Sequence, residues 1–310
     1  MLALVSTPGA HAQAAYPTKP IALIVPYLKD GGPDQLVRLV GKRLERELSQ
    51  PLRIENRPGM AGILGVAAMS RTAPDGYTLA YANNITLSYA DVTYRNLIYR
   101  PDDLRPVAIL FSVADGIAVP ADSPITNIGD LLQRAKAFPN RISYTTSGLG
   151  ASGNLSAWLL ARAANLHWNY VPATDSFRAY ELVRNGDADI EFDNLNVLLP
   201  RVRAGTLRVL AITSAGRSPL LPEVPTLAET LHLPFENTGW GGLVAPAGTP
   251  ADVIRRLNAA ANSALSDPAI RAELGAQGVA AVGGSPQALT DRALRERQLW
   301  RALSKDETGP

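Results

Sequence analysis

Twice in this chain an apolar run breaks into a glycine turn that opens straight into a helical pattern. The first run is Ile21 to Tyr27, then Leu28-Lys29-Asp30-Gly31-Gly32-Pro33-Asp34, then a helical pattern from Gln35. The second is Arg141 to Tyr144, then Thr145-Thr146-Ser147-Gly148-Leu149-Gly150-Ala151-Ser152-Gly153, then a helical pattern from Asn154. A strand that turns at once into a helix needs residues that tolerate unusual dihedrals. The helix start it produces carries N–H groups with no partner inside the helix. Two such units, far apart in sequence, restrict the chain to an alternating α/β fold. They also place two anion-attracting helix starts at the carboxyl ends of strands.

The rest of the alternation supports this. Leu36, Leu39, Val40 and Leu44 recur at helical spacing. Strands are expected at Leu52–Ile54 and Tyr77–Tyr81, with a small-residue helix from Ile63 to Ser70 between them. The second segment repeats the pattern. It reads as helix Ile128–Ala137, strands Ile142–Tyr144, His167–Val171, Ile190–Phe192 and Leu207–Thr213, and helices Ser176–Asn185 and Leu195–Ala204. After the strand Gly241–Ala245 the remainder reads as helical: Ala251–Ser266, Pro268–Gln277 and Pro286–Leu303. A helical tail is what a first lobe needs to complete its outer layer. The chain is therefore expected to cross between lobes twice, near Val113–Val119 and near Asn237–Val244. That divides it into lobe 1 (16–118 plus 239–310) and lobe 2 (119–238), each a mainly parallel sheet flanked by helices. The two crossover strands form a hinge.

Length and charge are consistent with this. The 310 residues suffice for two domains. A net charge of +2 spread along the chain argues against a nucleic-acid partner. No run of about 18 apolar residues is present, so no transmembrane helix is expected. Residues 1–15 carry no charge and contain Ala10-His11-Ala12, a cleavage-site pattern. They read either as the remainder of an export signal whose start lies upstream or was trimmed, or as a disordered tail. The lack of cysteine fits an oxidising compartment.

Candidate site residues cluster at the predicted strand ends. In the first turn these are Tyr27, Lys29, Asp30, Gly31 and Gly32. Lys29 and Asp30 read equally as ligand contacts or as a solvated pair, and Asp34 reads as a structural residue of the helix start. In the second turn they are Ser147, Gly148, Gly150, Ala151, Ser152 and Asn154, with a simple N-cap at Ser152 as the alternative. Asn84, Thr174 and Asp175 follow other strands. Asp193 follows Phe192 and either accepts from the ligand or caps the helix from Leu195. No catalytic set is readable: Ser147 is not in a nucleophile elbow, and no serine, histidine and aspartate combine into a triad. His167 and His232 have no second ligand at metal-binding spacing, so no metal and no cofactor are expected.

Several motifs occur together in one order. They are Tyr16–Ile21, Glu55–Gly59, Pro74–Leu79, Phe192-Asp193-Asn194, Thr213–Pro219, Leu221–Thr226 and Ala245–Pro250. Through them nearly the whole chain after residue 15 resembles the Bug-type periplasmic solute-binding proteins, the receptors of tripartite tricarboxylate transporters. The resemblance implies a two-lobed, type II periplasmic-binding fold. It implies a carboxylate ligand held by backbone amides, small hydroxyls and ordered waters in the two glycine turns. Partners would be a small carboxylate and membrane transporter subunits, and the receptor a monomer. An orphan sensor feeding a two-component system is the alternative. The pocket departs from the family pattern: two prolines are replaced around Leu28-Lys29-Asp30, Asn154 stands where histidine is usual, and Ala151 where threonine is common. Ala173-Thr174-Asp175 replaces a tyrosine, lysine and glycine.

Overall fold

The computed structural model describes residues 16–94 and 96–303, so residues 1–15 lie outside it. Ten strands run in chain order: β1 (Ile21–Val25), β2 (Leu52–Asn56), β3 (Thr78–Asn83), β4 (Leu104–Pro120), β5 (Ser143–Thr146), β6 (Asn169–Tyr170), β7 (Ile190–Asn194), β8 (Leu207–Ile212), β9 (Thr238–Pro246) and β10 (Val279–Gly283). They pair in the order β2-β1-β3-β9-β4-β7-β5-β6, with β8 and β10 also on β4.

Two parallel cores stand at the ends of this path. β2, β1 and β3 are parallel in the first half, and β6, β5 and β7 in the second. β1 is apolar along its length and buried on both faces, as a parallel strand covered by helices must be. The joining strand is β4. Its first part pairs antiparallel with β9, ending at Ala114 opposite Thr238. Its second part pairs with β7 from Asp115 onward and with β8 from Gly116. One 17-residue strand therefore serves both halves. Each half is a mixed sheet whose parallel core is extended by antiparallel crossover strands.

The helices bury their apolar faces on these sheets. Gly32–Leu48 turns Leu36, Val37, Val40 and Leu44 inward. In the same cluster lie Leu257, Ala260, Ala261 and Ala264 of helix Ala251–Ser266. Helix Ala251–Ser266 thus packs beside helix Gly32–Leu48. In the second half Ile117, Leu131, Leu160, Ile190 and Phe192 form a separate core. Phe192, fully buried, contributes about 1.5–3 kcal/mol by leaving water. A small third contact joins the halves directly. Trp300 stands edge-on to Tyr89 at 4.7 Å and to Trp158 at 5.1 Å, with Leu155 and Leu303 in the same cluster.

Two elements differ from the sequence reading. β10 falls in a stretch of the mostly helical tail to which the sequence assigns no element, because Val279-Ala-Ala-Val282 is short and apolar and its period does not distinguish strand from helix. It settles as a strand because β4 offers it a free edge. After β3 the chain winds through a wide helical turn, Ile85–Tyr89, into a short helix, Ala90–Thr93. That segment shows no helical periodicity in sequence.

Candidate functional site

Five helices begin immediately after parallel strands, and all five N-caps line one cavity of about 520 Å³ between the two halves. They are Gly31 before Gly32–Leu48 and Gly62 before Ile63–Ser70 in the first half. In the second half they are Ala151 before Ser152–Ala164, Asp175 before Ser176–Asn185 and Asn194 before Leu195–Arg203. This follows from the topology, since each helix leaves the carboxyl end of its strand and starts at the same rim. Only the helix after Asp175 is capped by its own side chain: Asp175 Oδ1 accepts from the N–H groups of Phe177 and Arg178, each at 2.9 Å. The other four have no side-chain cap. Each free start favours an anion by about 0.3–1 kcal/mol, up to ~2 when partly buried.

Between these starts the walls are aromatic and apolar. Tyr81 stacks on Phe111 at 5.5 Å and meets Tyr27 edge-on at 6.2 Å, and Trp240 and Val113 complete this side. The Tyr27 hydroxyl accepts from Asn83 Nδ2 at 2.7 Å and donates to the Ala61 carbonyl. Burial raises the phenols of Tyr27 and Tyr81 well above their usual range, so both stay neutral. No lysine, arginine or histidine lines the cavity among the described residues. The two acids that do are Asp175, at the rim, and Asp193, buried. The Arg178 N–H, with smaller help from the Thr174 hydroxyl and the Phe177 N–H, holds the Asp175 carboxyl below the usual carboxylate range.

Of the residues singled out in sequence, the cavity brings together Tyr27, Gly31, Gly32, Asn84, Ser147, Ala151, Ser152, Thr174, Asp175 and Asp193. It does not bring in Lys29, Asp30, Gly148, Gly150 or Asn154. Lys29 is exposed and does not line the cavity. Asp30 adopts a left-handed backbone (φ 64°) and gives its N–H to Asp34 Oδ2 at 2.9 Å. Gly148 and Gly150 shape the turn. The Gly148 carbonyl accepts from the Ala151 N–H, and the Gly150 carbonyl accepts from Asn84 Nδ2 at 3.3 Å, across the two halves. Asn154 is fully buried behind that turn. Asp34 has the structural role expected of it, accepting from Arg38 Nε and Asn56 Nδ2, each at 2.7 Å. Asp193 does not cap the helix from Leu195; its Oδ1 accepts from the adjacent Asn194 N–H at 2.7 Å.

Behind the cavity wall lies a network that sequence reasoning missed. Asp115, fully buried in β4, accepts from Ser152 Oγ and Ser156 Oγ at 2.7 Å and from Asn194 Nδ2 at 2.6 Å. Its backbone N–H donates to Thr213 Oγ1 at 2.8 Å. Asn237, on the approach to β9, donates to Ser156 Oγ at 2.8 Å and to the Ser152 carbonyl at 3.0 Å. The network sits where the chain passes between halves and holds the start of helix Ser152–Ala164 in place. Burial pushes the Asp115 carboxyl up to about 7, against the pull of its three donors. A signal existed: Asp115 is the one acid in the apolar run Leu104–Pro120, and a buried charge needs dedicated partners. Deeper still, Glu191 Oε1 pairs with Arg201 Nη1 at 3.0 Å, and burial pushes Glu191 up to about 8.

The arrangement suits capture of a compact anion with an apolar body. No group of three or more metal-ligating side chains is placed to hold a metal among the described residues, and none of their helices is long and apolar enough to cross a membrane.

Residues 36–307 match the sequence model of the tripartite tricarboxylate transporter family receptor. The chain is 30% identical over 314 residues to Protein BugT of Bordetella pertussis, covering 98% of this chain and 95% of BugT. It superposes on a Rhodopseudomonas palustris protein solved with adipate with a TM-score of 0.83 at 30% identity, covering 94% of this chain and 97% of that one. MatC of Rhodopseudomonas palustris, solved with bound malate, gives a TM-score of 0.78 at 28% identity, with 93% and 99% covered.

Proposed function

The chain belongs to the tripartite tricarboxylate transporter receptor family, and on that premise we propose that it captures a small organic acid in its interlobe cleft and delivers it to membrane transporter subunits. The family is one of receptors rather than enzymes. The observation that carries the reading is the convergence of four uncapped helix N-termini, two from each half, on one cavity without a cationic side chain. A carboxylate accepting three or four N–H and hydroxyl bonds, each worth roughly 1.5–3 kcal/mol, reaches the ~8 kcal/mol of micromolar affinity before ordering costs. The adipate and malate of the two solved relatives suggest the ligand class: short acids with a carboxyl at each end and a small body.

In this reading residues 16–118 and 239–310 form one lobe and 119–238 the other, and the protein works as a monomer in the periplasm. The acid docks first against Ser147, Ala151 and Ser152. Lobe 1 then closes with Tyr27, Gly31, Gly32 and Asn84, while Thr174, Asp175 and Asp193 bound the far wall. The aromatic side formed by Tyr81, Phe111 and Trp240 packs the carbon chain.

A thermal-shift screen of residues 16–310 against mono-, di- and tricarboxylates tests this. A bound acid at a hundred-fold excess over its Kd stabilises by about 2.7 kcal/mol, and Trp240, on the cavity wall, reports the same event by fluorescence. If no acid moves the melting temperature, and denatured protein releases no carboxylate detectable by mass spectrometry, the proposal fails.

A further inference from the structure

The cleft carries an acid pair that an anion receptor has no evident use for. Glu191 and Asp193 stand on the same face of β7, one fully buried and the other 2% exposed. Asp193 lines the cavity, and Glu191, two residues earlier on the strand, does not. Glu191 Oε2 and Asp193 Oδ2 receive no hydrogen bond from any described donor, and the two carboxyls lie within hydrogen-bonding reach of each other. Two carboxylates in contact, out of water, satisfy each other only by sharing a proton.

The groups around the pair supply a single cation. From helix Leu195–Arg203 comes Arg201, bonded to Glu191 Oε1 at 3.0 Å and to the Ser176 carbonyl at 2.7 Å, with Tyr180 beneath its guanidinium at 4.4 Å. From helix Ser176–Asn185 comes the Ser176 hydroxyl, and from the turn after β5 the Ser147 hydroxyl, both reaching Asp193. β5 places Thr145 opposite Glu191, and β4 contributes the carboxyl of Asp115. Asp175 stands at the rim. One guanidinium thus faces two carboxyls, with a third acid nearby. Adding an anion to this wall leaves at least one negative charge uncompensated unless a proton comes with it.

We infer that the Glu191–Asp193 pair is a proton-binding site of the receptor that must hold its proton for an anion to occupy the cleft, and that the bound proton turns the Ser147 and Ser176 hydroxyls from Asp193 toward the anion. The proton comes from solvent and resides between Glu191 Oε2 and Asp193 Oδ2. No covalent bond changes. The inference rests on the carboxylate reading of the cleft. Burial already raises both carboxyls, Glu191 to about 8, so the free receptor keeps the proton near neutral pH and loses it above. Binding strengthens the protonated form, so affinity is level below about pH 8 and falls as pH rises further.

The test is isothermal titration with adipate and with malate between pH 7 and 9.5, where both acids are almost entirely dianions and contribute essentially no protons. The expected result is a Kd that weakens up to ten-fold per pH unit above pH 8. At pH 8.5 the apparent heat should differ between Tris and borate in the sense of proton uptake. Asp193→Asn, a permanent mimic of the protonated state, should bind with a level profile and about ten-fold more tightly than the native protein at pH 9.5. Glu191→Gln serves as the second variant and should also lose the slope. A level native profile with equal heats in both buffers overturns the inference. So does an Asp193→Asn protein weakened at every pH, because Asp193 would then be an acceptor for a donor on the ligand. If no acid of the mono-, di- and tricarboxylate screen binds and the denatured protein releases none, the carboxylate reading fails and this inference with it.

Discussion

The ring of Tyr89 occupies the space that a side chain at Gly150 would need: a methyl group there would fall 2.1 Å from Tyr89 Cδ1. Tyr89 belongs to the helical turn after β3, and Gly150 to the ligand-facing turn of the opposite half. Gly150 also has a φ of +85°.

Gly150→Ala should therefore be costly twice over, through backbone strain and through overpacking, and the expected loss is about 2–4 kcal/mol in urea unfolding. Gly216→Ala is the control. It has a normal φ and open space around it, and should change stability by no more than ~0.5 kcal/mol. Equal effects at the two sites would show that the contact between the halves is not tight.

Stability should fall as pH rises from acid to mildly alkaline, the reverse of a protein dominated by exposed, paired carboxylates. Burial pushes Asp115 and Glu296 up to about 7 and Glu191 up to about 8. A raised carboxyl favours its protonated form in the native state. Its contribution is full below the unfolded value near 4 and is lost as pH climbs through 7 to 8. We expect unfolding free energy to drop by about 1–3 kcal/mol for each such group between pH 5 and 8. Asp115→Asn should flatten the part of the slope between pH 5 and 7. A profile that rises with pH in urea titrations at pH 5, 6, 7 and 8 contradicts the assignment.

Ala151→Asp should separate stability from binding. Aspartate at this N-cap would satisfy the free N–H groups of helix Ser152–Ala164 and raise stability by about 0.5–1 kcal/mol. The same carboxylate would occupy the anion position. Affinity for any acid that binds the native protein should drop at least a hundred-fold, about 2.7 kcal/mol. Retained affinity in a calorimetric titration would move the ligand away from that helix start.

Lys29→Ala should leave affinity within two-fold. The side chain is exposed and outside the cavity, in keeping with the solvated-pair reading of Lys29 and Asp30. A ten-fold loss, about 1.4 kcal/mol, would mean that the loop rearranges on binding.

What was legible and what was not follows the range of the forces involved. The helices Ile63–Ser70, Ile128–Ala137, Ser176–Asn185, Ala251–Ser266 and Pro286–Leu303 fall where the sequence places them, because caps, breakers and apolar spacing are local. The glycine turns were legible as turns, and Ala151 and Ser152 could be assigned to the site. Gly148 and Gly150 could not be told apart from ligand contacts, since only the packed Tyr89 ring and the crossing Asn84 amide reveal their work. Asp115 was overlooked because its partners come from positions 152, 156 and 194, which become neighbours only once the sheet exists. Lys29 was ambiguous for the opposite reason: its neighbours in sequence line the cavity, yet its own side chain does not.

The sharing of β4 also governs how the molecule must be assembled. Ala80 pairs with Val244, and Val113 with Val279, so the sheet that begins at residue 21 is completed by the last strands of the chain. The second half has its parallel strands close together in sequence and can collapse first. Until β9 arrives, β3 waits with a bare edge, the kind of surface on which unfinished chains aggregate. A chain stopped before residue 238 would not be a smaller receptor; it would be one folded half attached to an open sheet.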